Sequence, residues 1–119
     1  MGITKAEALK AVDRERGPVC EASDRIWDQP ETAFQEFYST DVLCELLEKE
    51  GFRVERNLAG IATAFSGTYG SGKPVVGILG EFDALSGLSQ ESESLEKTAL
   101  VDGAPGHGCG HNLLGTGSV

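Results

Sequence analysis

The sequence predicts an α/β fold in which N-terminal helices are followed by a mixed sheet, and three patterns carry that prediction. Apolar residues recur at helical spacing up to about residue 50, the period drops to two from Phe52, and a nearly continuous apolar run fills residues 75–79. A chain of 119 residues has room for one domain with a modest core.

From Thr4 onward, Ala8, Val12, Val19, Ala22, Ile26 and Trp27 fall at mostly helical spacing. Gly17-Pro18 interrupts them, which predicts one long kinked helix or two short ones. Pro30 stops the pattern, and Glu31 and Thr32 open a turn leading to Thr40-Asp41. Val42, Leu43, Leu46 and Leu47 then predict a second amphipathic helix, with Gly51 in its C′ position. Phe52, Val54 and Arg56 alternate with Arg53 and Glu55 as in a half-buried strand. Residues 61–69 predict another, with Ile61, Thr63 and Phe65 on one face. Residues 69–74 are a turn made of breakers. The run Val-Val-Gly-Ile-Leu at 75–79 reads as a central strand covered on both faces, and it ends in Glu81-Phe82-Asp83. Carboxylates at that end of a buried strand stand where open α/β sheets place their ligand crevice. Residues 86–105 predict a loop of about 20 residues, long enough to suggest a functional segment, with a solvated acidic turn at 91–96.

Lysine and arginine total 10 against 19 acidic residues, a net charge of −9, which disfavours nucleic acid and anionic membrane as partners. No apolar run approaches the roughly 18 residues of a spanning helix, so the expectation is a cytoplasmic protein. The three cysteines, Cys20, Cys44 and Cys109, are odd in number and widely spaced, which argues against a disulfide framework. Cys20 and Cys44 fall in helical patterns and are expected to be packed apolar residues.

Chemistry is concentrated in Gly106-His107-Gly108-Cys109-Gly110-His111-Asn112, which holds both histidines of the chain and a thiol. Imidazole and thiolate bind the same divalent metals, and alternate residues of an extended stretch share a side, so His107, Cys109 and His111 are candidates for one metal site. A glycine-rich connection with incidental histidines is the plainer reading. Use of Cys109 as a nucleophile with a histidine base is a third. The spacing fits no structural zinc module and lacks the Cys-x-x-Cys-His of c-type haem attachment. Gly115-Thr-Gly117 lacks the Gly-Lys-Ser/Thr of a phosphate loop.

Residues 77–90, Gly-Ile-Leu-Gly-Glu-Phe-Asp-Ala-Leu-Ser-Gly-Leu-Ser-Gln, followed by Gly106-His-Gly-Cys-Gly-His-Asn-Leu-Leu-Gly115, resemble the M20 metallopeptidase and amidohydrolase family. Within it they are most similar to the D branch, of the aminobenzoyl-glutamate utilisation protein B type, related to the auxin-conjugate amidohydrolases. Ile26-Trp-Asp-Gln-Pro-Glu31 with Glu36 is similar to the family's opening helix and Pro-Glu turn, so the resemblance covers nearly the whole chain. It implies a zinc-peptidase-like catalytic domain, with residues 1–119 its N-terminal portion and the rest of that domain and a dimerisation domain lying outside. It further implies two divalent metals, zinc or manganese, per full-length site. The implied activity is hydrolysis of an N-acyl or N-aryl amino-acid conjugate, such as aminobenzoyl-glutamate or a dipeptide, by a homodimer or hetero-oligomer.

By match to the family motif, Cys109 and His111 are metal ligands, and Asp83 supports the site from behind the ligands. The wider family has His-x-Asp where this chain has Glu81-Phe82-Asp83, so Glu81 stands in place of a histidine ligand. His107 and Glu81 are candidates to back the ligands or face the substrate. Asn112 stands where the auxin-conjugate branch has Asp. The family's proton-shuttling carboxylate, the first of a Glu-Glu pair, lies downstream of this chain, which implies that the 119 residues alone are inactive. The alternative is a non-catalytic fragment that binds metal weakly or acts only by association with other chains.

Overall fold

The computed structural model describes residues 2–119. Helix α1, Lys5–Asp28, runs without a break through Pro18, so the long-helix expectation is the one observed. A capping box opens it: the Glu7 amide donates to the Thr4 hydroxyl at 3.3 Å, and the Thr4 amide donates to the Glu7 carboxylate at 2.8 Å. Its buried residues are Ala22, Ser23 and Ile26. Cys20 lies off that stripe and is exposed, which corrects the expectation that it is packed; Cys44 is buried as expected.

Helix α2, Phe37–Lys49, begins three residues ahead of the predicted Thr40-Asp41 start. The reason is Glu31, whose side chain reaches across the turn to satisfy α2's first amides. At the other end Gly51 adopts φ 83°, the left-handed conformation a helix C′ residue needs. Ala22 and Ile26 of α1 meet Val42 and Leu43 of α2 to form the core, with Tyr38, Leu46, Phe65 and Phe82 packed around them.

Strand β1, Arg53–Arg56, pairs antiparallel with β2, Phe65–Thr68, placing Arg53 opposite Thr68 and Arg56 opposite Phe65. The Thr40 hydroxyl ties this hairpin to α2 by donating to the Thr63 carbonyl at 2.9 Å. Gly67 lies so close to the Leu47 side chain that a Cβ there would come within 2.8 Å of it.

These two strands are the whole sheet among the described residues, so the predicted mixed sheet with a central strand at 75–79 is not formed. Residues 75–79 carry no strand pairing, and Val75, Val76, Ile78 and Leu79 are between 77% and 88% exposed. A strand of this composition needs paired neighbours and a layer on each face. The described residues supply neither. The loop at 86–105 has no helix or strand, as expected, but it is tied by hydrogen bonds from the Ser89 amide to the Ala104 carbonyl and from the Glu91 amide to the Thr98 carbonyl.

Helix α3, His111–Ser118, completes the chain and packs on α1. Across that contact the Asn112 side-chain amide donates to the Ser23 hydroxyl at 3.0 Å. No helix among the described residues is long and apolar enough to cross a membrane.

Candidate metal centre

Residues 81–85 are fixed by neighbours on several sides. Gly115 of α3 rests on them: a Cβ there would lie 2.7 Å from the Phe82 Cβ and 3.3 Å from the Glu81 carbonyl oxygen. The Ala84 amide donates to the Glu31 carbonyl at 2.7 Å, and Leu85 exchanges two backbone hydrogen bonds of 3.1 Å with Gly106. An extended segment sends residues i and i+2 to the same side. Glu81 and Asp83 therefore both face His111, the first residue of α3. Gly110, at φ 87°, turns the chain into that helix, and its amide donates to the His107 carbonyl at 2.8 Å.

The result is a cluster of two carboxylates and one imidazole whose donor atoms all lie within 4.8 Å of one another. Asp83 Oδ1 is 2.8 Å from His111 Nδ1, and Glu81 Oε2 is 3.4 Å from Nε2. Asp83 and His111 are roughly three-quarters buried, whereas Glu81 is 64% exposed. A neutral imidazole has one N–H, so it cannot donate to a carboxylate on each side. The shorter contact assigns that hydrogen to Nδ1, with Asp83 as its acceptor. The Nε2 lone pair then faces a carboxylate, an unfavourable pairing unless a proton or a metal cation lies between them. A separation of 3.4 Å is long for a hydrogen bond. It matches the roughly 3.3–3.5 Å between two ligands of a tetrahedral zinc bound at about 2.0–2.1 Å. The donor set thus suits one divalent cation, held by His111 Nε2 and Glu81 with Asp83 behind the imidazole.

Of the residues singled out in the sequence, the structure brings Asp83, His111 and Glu81 together. Cys109 is not in that group and lies exposed as a free thiol on the loop between the two histidines. His107 is 2% exposed, and its ring nitrogens make no well-formed hydrogen bond, the Ile26 carbonyl being the nearby acceptor. Burial pushes its pKa down, aided by nearby His111, while the Ile26 carbonyl, Asp83 and Glu31 pull it the other way. Glu31 is the residue whose importance the sequence did not reveal. Its carboxylate accepts from the Tyr38 amide at 2.9 Å and from the Ser39 amide and hydroxyl at 2.8 Å each, while its carbonyl holds Ala84.

The thiols differ enough to be told apart chemically. Cys44 is fully buried, and burial pushes its pKa up to about 11 against the opposing pull of Arg56. Iodoacetamide applied to the native chain near neutral pH should label Cys20 and Cys109 and spare Cys44. Mass spectrometry of the peptides checks this, and rapid native labelling of Cys44 would contradict the packing described.

A helix start and an extended segment that gather two carboxylates and an imidazole around one point define a candidate divalent-metal centre. Over 106 residues the chain is 49% identical to the B subunit of p-aminobenzoyl-glutamate hydrolase from Escherichia coli (strain K12), a match covering 89% of this chain and 22% of that protein. This similarity agrees with the aminobenzoyl-glutamate utilisation protein B type of resemblance that the motifs indicated, and the chain spans about a fifth of the length of the relative it matches. No family model matches the chain.

Proposed function

We propose that this chain contributes the Glu81–Asp83–His111 site to a metal-dependent amidohydrolase that cleaves an N-acyl or N-aryl amino-acid conjugate, aminobenzoyl-glutamate being the leading substrate. The observation that carries the proposal is the approach of two carboxylates and an imidazole within 4.8 Å in a chain similar to a protein named as part of an aminobenzoyl-glutamate hydrolase. Because that relative is named as one subunit, the name supports an assembly of more than one chain for the longer protein.

A divalent metal held by His111 and Glu81 would supply polarisation of the scissile carbonyl and activation of water near neutral pH. The chain's own residues set the conditions. Asp83 holds the Nδ1 proton and so fixes the tautomer and plane of His111. Glu81, on the open side, supplies a second donor and leaves the centre accessible to substrate. Cys109, exposed between Gly108 and Gly110, is proposed as a further ligand, and zinc should then slow its alkylation while leaving Cys20 unaffected.

The exposed apolar residues 75–79 favour a second reading for the 119 residues in isolation, in which they act by association with other chains. The test uses the longer protein loaded with zinc or manganese and assayed on aminobenzoyl-glutamate. Asp83→Asn should lower both metal affinity and turnover by about 10–100-fold, the usual loss on removing a ligand's supporting carboxylate. Unchanged metal content and rate in Asp83→Asn would contradict the assignment.

A further inference from the structure

Between the C-terminal end of α1 and the loop that returns to the metal cluster lies a cavity of about 210 Å³. Its walls include Trp27, Pro30, Leu100, Val101 and Pro105, and it reaches the buried imidazole of His107. For scale, an apolar cavity of about 150 Å³ holds a benzene molecule. The other polar side chains from this loop are already engaged. Gln90 donates to the Glu91 and Glu96 carbonyls and accepts from the Thr98 amide, and the Ser89 hydroxyl accepts from the Val101 amide. His107 alone presents buried ring nitrogens, one of them near the Ile26 carbonyl and neither in a well-formed hydrogen bond, and the nitrogen left free costs free energy until something hydrogen-bonds to it.

The one acidic side chain on the wall is Asp28 at the end of α1. With the chain's net charge of −9, it opposes entry of a carboxylate and favours a neutral or weakly basic group. The cavity also adjoins the candidate metal centre. His107 directly follows Gly106, whose bridge to Leu85 lies two residues beyond Asp83.

We propose that this cavity receives the aminoaryl end of an amide substrate, with a flat ring against Trp27 and Pro105 and its amino group hydrogen-bonded to His107. This deepens the hydrolase reading above and rests on it for the identity of the amide. The carboxylate-bearing end of the conjugate is assigned elsewhere.

Trp27 is the sole tryptophan of the chain, so its indole N–H gives one resolvable NMR signal at the cavity wall. Titration of the 119-residue chain with 4-aminobenzamide should move that signal saturably. Benzamide, which lacks the amino group, should bind at least 10-fold more weakly, and free glutamate should leave the signal in place. His107→Leu should weaken 4-aminobenzamide at least 10-fold. Val101→Glu, at an exposed rim position where folding is not at stake, should do the same by placing a charge at the mouth. Equal binding of benzamide and 4-aminobenzamide, or full affinity in both variants, would overturn the proposal. Should the longer protein hydrolyse aminobenzoyl-glutamate while 4-aminobenzamide never moves the Trp27 signal, the cavity assignment alone fails. Should the ring bind as described while the longer protein hydrolyses no aminoaryl amide, the cavity stands and the hydrolase reading falls.

Discussion

Replacing Gly106 with alanine should destabilise the chain by about 3 kcal/mol or more, the upper range for forcing atoms into a packed site. A Cβ at this position would sit 2.1 Å from the Leu88 carbonyl oxygen and 2.6 Å from the Ser89 Cα. Both are backbone atoms, so no side-chain rotation relieves the clash. The loop must move, and moving it breaks the Leu85–Gly106 pair or the Ser89–Ala104 hydrogen bond. His107 and the entry to α3 shift with it. Gly117 is the control, because it lies in α3 with nothing within 4 Å of an added Cβ. Gly117→Ala should raise stability by about 0.5–1 kcal/mol through helix propensity. Urea unfolding of the two variants should therefore give shifts of opposite sign, and a Gly106→Ala midpoint equal to wild type would refute the close approach.

Glu31→Ala should cost about 2–4 kcal/mol. Helix α2 has no side-chain cap from its own N-cap residue, Glu36. Glu31 replaces that cap from the preceding turn with three hydrogen bonds, two to the first-turn amides of Tyr38 and Ser39 and one to the Ser39 hydroxyl. A helix leaves such amides without intrahelical partners, and a charged acceptor there is worth more than a neutral one. Ser39 is fully buried, so water cannot readily take the place of the lost carboxylate. Thermal unfolding should show Glu31→Ala losing far more than Glu21→Ala on the exposed side of α1. Equal losses would show that α2 does not depend on this cap.

Much of this arrangement could be read in the residue order. Both long helices, the stop at Pro30, the C′ role of Gly51 and the β1 strand follow from local periodicity and turn chemistry, which depend on neighbours in sequence. Asp83 and His111 were legible through motif resemblance. What local pattern could not reveal was contact across distance. Glu31 caps α2 only because the turn between them, with Phe34 at φ 66°, folds back by the right amount. Gly106 looks like any other glycine of its segment until Leu88 is seen pressed against it. Glu81 was legible only as the residue standing where the wider family has a histidine, and its place beside His111 depends on how residues 81–85 pack against α3. The predicted central strand failed for a tertiary reason, since residues 75–79 have the composition of a covered strand and no covering among the described residues. Cys109, the most conspicuous ligand candidate by chemistry, was placed by its glycines on the exposed side of the loop.

Glu81 and His111, with Asp83 behind the imidazole, should hold one divalent cation, and zinc titration of the 119-residue chain by calorimetry reads that binding. The predicted result is one zinc equivalent per chain. Affinity should fall at least 10-fold in His111→Ala and by about 10–100-fold in Asp83→Asn, where the imidazole loses its orienting partner. Binding should weaken as pH drops, because protons compete with zinc for the imidazole and the carboxylates. Zinc bound with wild-type affinity and stoichiometry by His111→Ala would contradict the account.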